Sequence, residues 1–381
     1  MSGSTPATGG LPSGGPAGGR PPGAPVLEIE DFRVVYRTPS GDVRAVDRMN
    51  LTLHAGEVVG LVGESGSGKS TLAYGACRLL RPPALITGGS VRYQGRRVSQ
   101  PVEILRLGRD ELKRLRWREI AIVFQSAMNA LNPVLNVRDQ ILDAIHAHLR
   151  LPRDEAQERT AGLLDLVGIP RSRLRSYPHE LSGGMRQRIS IAMALATDPE
   201  IVIMDEPTTA LDVVVQRDIL AQIVELKERL GFSILFITHD LSLLLELADR
   251  IAVMYAGQLL EIGTAHDIHH RPSHPYTKGL INSFPSLRGG RRELAGIPGT
   301  PPDLHNPPPG CPFLPRCAHG TDACQEVSMT LAPVTSGSST SSSSDWGHVT
   351  ACPFVHPDTP TPARPAAAVG GGEGGRQEPT P

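Results

Sequence analysis

Gly63-Glu64-Ser65-Gly66-Ser67-Gly68-Lys69-Ser70 is the stretch on which the reading of the fold turns. It follows Val58–Val62, an apolar run of strand length, and opens Ser70–Leu80, which reads as a helix closed by Pro82 and Pro83. The spacing matches G-x-x-x-x-G-K-[ST], a loop that cradles phosphates. Its glycines let successive backbone N–H groups point inward, and the helix behind adds the positive end of its dipole. Lys69 is placed to neutralise β- and γ-phosphates, and the Ser70 hydroxyl to coordinate Mg²⁺. A nucleoside triphosphate at the edge of a sheet is the expectation.

Downstream the texture alternates. Helix Gly183–Ala196, strand Ile201–Met204, helix Val213–Leu230, strand Phe232–Ile237, helix Ser242–Ala248 and strand Ile251–Met254 predict an α/β fold with a mainly parallel sheet covered on both faces. Upstream, Val26–Tyr36, Met49–Leu53 and Ser90–Tyr93 read as strands. The stretch Leu131–Leu174 is mostly helical. After Gly263 the chain becomes rich in Pro and His and carries a group of cysteines, so a second, smaller domain is expected at 265–356, with Ser336–Ser344 as a flexible loop. Residues 1–25 and 357–381, built from Gly, Pro, Ala, Ser and Thr, read as disordered tails.

Composition trims the function classes. The 381 residues carry 38 Lys and Arg against 39 Asp and Glu, a net charge of −1, which argues against a general nucleic-acid binder. No run approaches 18 apolar residues, so no membrane span is predicted, and the N-terminus has no apolar signal core. Five cysteines, four of them beyond residue 310, do not make an extracellular disulfide framework.

Three further segments carry chemistry. Ile201–Glu206 puts two carboxylates where an apolar strand leaves the sheet, and open α/β sheets bind ligands outside those carboxyl ends. Asp205 suits Mg²⁺ and Glu206 suits polarising an attacking water, with a solvated Asp-Glu turn as the plain alternative. His239 follows the next strand and emerges at the same edge, facing a γ-phosphate or serving as polar turn filler. Leu181-Ser182-Gly183-Gly184-Met185 opens a helix whose free N–H groups suit an anion, or which Ser182 simply caps.

Together these elements resemble the ATP-binding cassette family, the nucleotide-driven subunits of ABC transporters. The resemblance covers Val26 to about Gly263: the Walker A loop Gly63–Ser70, Gln125 in Val123-Phe124-Gln125, the signature Leu181–Met185, Walker B Ile201–Glu206, the D-loop Ala210-Leu211-Asp212 and the switch His239. It implies a P-loop NTPase fold at 26–264, with a helical subdomain at about 131–180 and an antiparallel β subdomain. It also implies that Tyr36 stacks on adenine and that Gly63, Ser65, Gly66, Gly68, Lys69, Ser70 and Thr71 bind ATP. Ser70, Gln125 and Asp205 would hold Mg²⁺; Glu206, His239 and Gln125 would act in hydrolysis. ATP would lie between two cassettes, with Ser182, Gly183, Gly184 and the D-loop Asp212 facing the partner's site.

Met185 in LSGGMRQR, Leu131-Asn132-Pro133, His274-Pro275-Tyr276-Thr277-Lys278 and the cysteine-bearing C-terminus narrow the likeness to ATP-binding subunits of bacterial oligopeptide/dipeptide importers, whose relatives include nickel importers. Two features depart from that pattern. Ser126-Ala127 stands where an acidic-Pro pair is usual, and a serine-rich insertion lengthens the gap before Cys352. The implied partners are two transmembrane permease subunits, a second ATP-binding subunit that is a paralogue, and an extracytoplasmic solute-binding protein, with no nucleic acid. The implied location is peripheral, on the cytoplasmic face of the cell membrane. Ser126–Asn136 would help form the groove for a permease coupling helix. Cargo could equally be nickel or another small solute, and a soluble cassette ATPase acting on nucleic acid or ribosomes is the more distant alternative.

Cys311, Cys317, Cys324 and Cys352 offer four thiols, with Pro312 and Pro353 each following a cysteine. Four thiolates suit Zn²⁺ or an iron–sulfur cluster, and spacing does not separate the two; unliganded or disulfide-paired cysteines are the plain alternative. The resemblance favours a 4Fe–4S cluster. Cys77 reads as an ordinary core residue, and His269, His270 and His274 as polar turn residues.

Overall fold

The computed structural model describes residues 23–125, 131–209, 211–283, 296–334 and 347–352. The two tails, Ser126-Ala127, Ala210 and the serine run Ser336–Ser344 lie outside the described residues, apart from Gly23–Pro25.

Two sheets organise the chain. Strands β1 (Pro25–Thr38), β2 (Gly41–His54), β4 (Ala84–Tyr93) and β5 (Val102–Glu103) form an antiparallel sheet in the order β2-β1-β4-β5. The larger sheet adds β3 (Val58–Val62), β6 (Ile120–Val123), β7 (Ile201–Asp205), β8 (Ser233–Thr238), β9 (Arg250–Tyr255), β10 (Gln258–Thr264), β11 (Ala332–Pro333) and β12 (Val349–Thr350). Its order is β11-β12-β10-β9-β3-β8-β7-β6. From β9 through β6 the neighbours run parallel, whereas β10, β12 and β11 are added antiparallel.

The parallel strands are apolar throughout because both their faces are covered. Alternate residues divide between two cores. Val58, Val202, Met204, Ile234, Phe236, Ile251 and Val253 pack with the helical side of the molecule. Val59, Leu61, Ile201, Ile203, Leu235, Ile237, Ala252 and Met254 pack against the antiparallel sheet and the first helix.

The helices are α1 (Lys69–Ala76), α2 (Arg109–Leu115), α3 (Val137–His148), α4 (Arg153–Leu166), α5 (Gly183–Ala194), α6 (Val213–Leu230), α7 (Leu241–Leu247), α8 (Ala265–His270) and α9 (Pro275–Ser283). None among the described residues is long and apolar enough to cross a membrane. Helix α1 stops well short of the expected Leu80. Arg78 takes a left-handed φ of 53°, and the Leu79 and Arg78 amides donate back to Tyr74 O and Gly75 O, closing a Schellman cap. The β2 strand runs much longer than its alternating tip Met49–Leu53, because Gly41–Thr38 closes a hairpin that pairs its whole length with β1. Strands β6 and β10 and helix α2 were too short or too mixed in pattern to be anticipated.

Past Gly263 the described chain has no sheet of its own. Its strands β11 and β12 extend the main sheet beyond β10, while Ile268, Tyr276, Leu280 and Phe313 enter the core shared with the parallel strands.

Candidate active site

The phosphate loop joins β3 to α1, as its position between an apolar strand and a helix predicts. Gly68 has φ 99°, a left-handed value, and a Cβ there would come within 2.1 Å of the Ala45 carbonyl oxygen. At Gly63 an added Cβ would stand 2.0 Å from Met254 O. Both positions are therefore closed to any larger residue, since the obstacle is backbone rather than a movable side chain.

Lys69 folds back under this loop. Its buried Nζ donates to Gly63 O at 2.8 Å, Glu64 O at 3.0 Å and Ser67 Oγ at 3.4 Å. Burial pushes its pKa down, opposed by the Glu206, Asp205 and Glu64 carboxylates. Ser70, in the first turn of α1, donates its hydroxyl to Asp205 Oδ1 at 3.0 Å. The other Asp205 oxygen accepts from Tyr74, one turn further along α1. Asp205 itself is buried at the end of β7, and its double pairing satisfies that burial.

Glu206 follows immediately with φ 46°, left-handed for a residue with a side chain, and its N–H is fixed to Ile237 O at 2.8 Å. Three groups converge on its carboxylate. Gln125 Nε2, just beyond β6, donates at 2.8 Å; Thr209 Oγ1 donates at 3.0 Å; His239 Nδ1, just beyond β8, lies at 3.2 Å. The ends of β3, β6, β7 and β8 thus bring three hydrogen-bonded sets to one edge of the sheet: Lys69 within its own loop, Ser70 with Asp205, and Gln125 and His239 with Glu206. Residues separated by up to 135 positions in the chain meet because parallel neighbours end at the same edge.

Tyr36, on β1, reaches the start of α1, its hydroxyl 3.1 Å from Thr71 Oγ1. Ser65 and Gly66 form the exposed crown of the loop. The Ser182–Gly184 stretch sits at the start of α5, where Ser182 Oγ accepts from the Met185 N–H at 3.3 Å, so the plain capping role is present. Asp212 likewise caps α6, accepting from Val215 N–H at 3.0 Å. Neither helix start contributes a hydrogen bond to Lys69, Ser70, Gln125, Asp205, Glu206 or His239 among the described residues. Sequence reasoning passed over Tyr74 and Thr209; the i,i+4 spacing from Ser70 to Tyr74 on one helix face was a usable signal.

Comparison with known proteins bears on this geometry. The ABC transporter family profile matches residues 46–209, and the profile of the oligopeptide/dipeptide transporter C-terminal region matches residues 260–324. The oligopeptide transport ATP-binding protein OppD of Salmonella typhimurium is 46% identical over 304 residues, spanning 79% of this chain and 89% of that protein. This chain belongs to the oligopeptide-transporter ATP-binding family. The dipeptide transport ATP-binding protein DppD of Bacillus subtilis, another member, is 45% identical over 305 residues, covering 79% of this chain and 89% of its own. Among solved structures, the dimeric post-hydrolysis state of the ATP-binding cassette MJ0796 with ADP and Pi superposes with a TM-score of 0.54 at 28% identity, covering 63% of this chain and 98% of that one.

The four C-terminal cysteines of this family member line one small pocket of about 70 Å³ together with His274, Pro275, Leu314, His319, Val327 and Ala351. Three segments deliver them. Cys311 N–H donates to Cys324 O at 2.9 Å, Cys317 ends the turn Leu314–Arg316, and Cys352 follows β12, whose neighbour Ala351 is bonded to Leu260 O at 2.8 Å. Burial raises the Cys311 thiol to about 11 and raises Cys317 also, with the other cysteines reinforcing the shift. Even so, among the described residues no three His, Cys, Asp or Glu side chains stand close enough to hold a metal ion, so a formed metal centre is not supported. His274, expected as a polar turn residue, is instead a core residue just before α9. It is fully buried, Nδ1 accepts from Tyr276 N–H at 3.0 Å, and Nε2 has no hydrogen-bond partner. Cys77 is a core residue, as expected, 2% exposed.

Proposed function

We propose that this chain is the ATP-hydrolysing subunit of an ABC importer that takes up di- and oligopeptides. The observation that carries the reading is the Glu206 carboxylate. It is held by Gln125, Thr209 and His239 beside the Ser70–Asp205 pair and the Lys69 loop. In this proposal the loop amides from Gly63 to Thr71 and Lys69 grip the triphosphate, while Tyr36 packs on the adenine. Ser70, Asp205 and Gln125 fit Mg²⁺, whose hard charge favours such oxygen donors and would offset the charge developing on the phosphoryl group. Glu206 polarises the attacking water, and His239 reaches the γ-phosphate while fixing Glu206.

The Ser182–Gly184 stretch would complete the site of a second ATP-binding subunit, with Asp212 beside that junction. Hydrolysis then requires closure of two chains over ATP, which couples nucleotide occupancy to movement. Exposed Val134, 75% accessible, and Tyr177 lie on the helical subdomain, the side proposed to meet the permease pair at the cytoplasmic face. A solute-binding protein would deliver cargo from outside. The proposed division is a cassette at 26–264 with its helical part at about 131–180, followed by a cysteine-bearing unit.

Reconstituting the complex in vesicles tests the reading directly. ATP-dependent uptake of labelled di- and oligopeptides is expected. Uptake of nickel without peptides would reassign the cargo, and ATPase activity stimulated by nucleic acid or ribosomes would move the chain to another class.

We also propose that the cysteine pocket holds a 4Fe–4S cluster. Four cysteines from three segments line one cavity, and the unpartnered His274 Nε2 is buried at its wall. Four cysteine thiolates are a ligand set that suits such a cluster, with zinc as the alternative. Such a group would brace the segment. Protein purified without oxygen should be brown and contain iron and sulfide; zinc instead of iron, or neither, overturns the assignment.

A further inference from the structure

The phosphate loop is gripped from outside by the C-terminal segment. Glu64, the first residue after Gly63, donates its N–H to the Tyr276 hydroxyl at 2.9 Å. Its carboxylate receives both arms of Arg316, Nη1 at 2.8 Å and Nη2 at 3.0 Å. Neither partner belongs to the loop, its strand or its helix: Tyr276 is on α9, and Arg316 precedes Cys317. Both are deeply placed, Tyr276 fully buried and the Arg316 side chain 5% exposed.

Arg316 has no freedom left. Its Nε donates to Pro298 O at 2.8 Å, Nη1 also reaches the Tyr255 hydroxyl at 3.1 Å, and Nη2 also reaches Ile297 O at 3.3 Å. The guanidinium lies 5.7 Å from the Tyr255 ring centre and 5.9 Å from that of Phe313. All five guanidinium hydrogens are therefore used, two of them on Glu64. Beyond them, Pro301, Pro302 and Leu304 wall a cleft of about 210 Å³ against Glu64, Ser65, Gly66 and Ser67.

We propose that Arg316, with Tyr276, is a positioning residue for ATP binding: it fixes Glu64 and neutralises the negative charge that Glu64 would otherwise present to the phosphates. Two physical effects follow. A loop held at its first turn has less freedom to lose when its amides close on a phosphate. The charge effect is separate, because a carboxylate stripped of its partner beside an anion site repels the ligand in a partly dehydrated setting. Glu64 O also accepts from Lys69, so a shift of Glu64 would disturb the lysine that faces the phosphates. This inference rests on the reading of Gly63–Ser70 as the ATP loop and goes beyond it by assigning a residue outside the cassette motifs.

The test is ATP titration of the steady-state ATPase in the assembled complex. Arg316→Gln is expected to raise KM for ATP about tenfold with kcat within about twofold, the order expected for a charge-assisted contact. Glu64→Gln, which removes the charge along with one of the two Arg316 bonds, should raise KM only about two- to threefold. The double variant Arg316→Gln/Glu64→Gln should return KM toward the Glu64→Gln value, because the repelling carboxylate is gone. A purely structural role for Arg316 would not give that rescue. Unchanged KM in Arg316→Gln, a fall in kcat with KM unchanged, or a double variant worse than Arg316→Gln each overturns the proposal.

Should Arg316→Gln fail to fold, Tyr276→Phe decides. It keeps the ring packing and removes only the acceptor for the Glu64 N–H, and is expected to raise KM about threefold; an unaltered KM overturns the proposal. Lys69→Ala separates the layers. If nucleotide binding survives it, the loop reading falls and this inference with it; if binding is lost there while Arg316→Gln and Tyr276→Phe keep the parental KM, this inference alone falls.

Discussion

The nucleotide edge and the cysteine pocket are built by opposite means. At the nucleotide edge, Lys69, Asp205, Glu206 and His239 each stand within a residue or two of a parallel strand or at the start of a helix, so backbone ladders fix their positions. At the pocket, Cys311, Cys317 and Cys324 come from turns, and only Cys352 is delivered by a strand pairing. Its frame is made of side chains instead: Glu261, fully buried, accepts from Ser273 N–H at 2.7 Å, His274 N–H at 2.9 Å and His348 Nε2 at 2.6 Å. A site hung on strands tolerates change around it and fails when one functional atom is lost. A site hung on side chains fails when its supports are lost.

The largest effect expected from this contrast is at Glu206. Glu206→Gln keeps the shape and the contacts to Gln125 and Thr209 in altered form but removes the charge proposed to polarise water. ATPase turnover of the complex should fall about a thousandfold, roughly 4 kcal/mol on the barrier, with ATP still bound. Equal turnover would take Glu206 out of the chemistry. Lys69→Ala comes next, weakening nucleotide affinity about a hundredfold by fluorescent-ATP titration, because the buried cation proposed to face the phosphates is gone.

Gly63→Ala probes the backbone frame itself. Its Cβ meets Met254 O, so β9 or the loop must move, and a destabilisation of about 1–3 kcal/mol is expected in chemical unfolding. Glu261→Leu probes the side-chain frame: two amides and His348 lose their acceptor, costing about 1–3 kcal/mol per unsatisfied group in the same assay. If the pocket's thiols became no more accessible to a maleimide in that variant, the view that Glu261 supports the pocket would be wrong. The smallest effect is at Cys77, whose thiol burial holds at about 12. At pH 8 only about one molecule in ten thousand carries the thiolate, so iodoacetamide should leave Cys77 unmodified in the folded chain and label it after denaturation.

The contrast also explains what could be read in advance. Gly63–Ser70 and Ile201–Glu206 are contiguous, and each encodes its own strand, turn and chemical group, so the sequence located them to the residue. Tyr74 escaped notice because an aromatic on α1 reads as core, and only its bond to Asp205 shows otherwise. The end of α1 was misplaced because Leu79 and Leu80 continue the apolar pattern, while the left-handed Arg78 that stops the helix has no compositional signature. In the C-terminal segment, cysteine spacing announced a group of thiols but not the pocket they share.

What the sequence alone determined is the alternation of buried strands with helices and the motifs at the strand ends. Both follow from local periodicity and from residues a few positions apart. Tertiary structure alone decided that Gln125 and His239 meet on Glu206, that β12 seats Cys352 on the cassette's own sheet, and that Arg316 closes on Glu64 across 252 positions of chain. Those contacts depend on which sheet edge each segment reaches and on the rotamers available there. No local pattern carries that information, because neither partner's neighbours record the other's place in the fold.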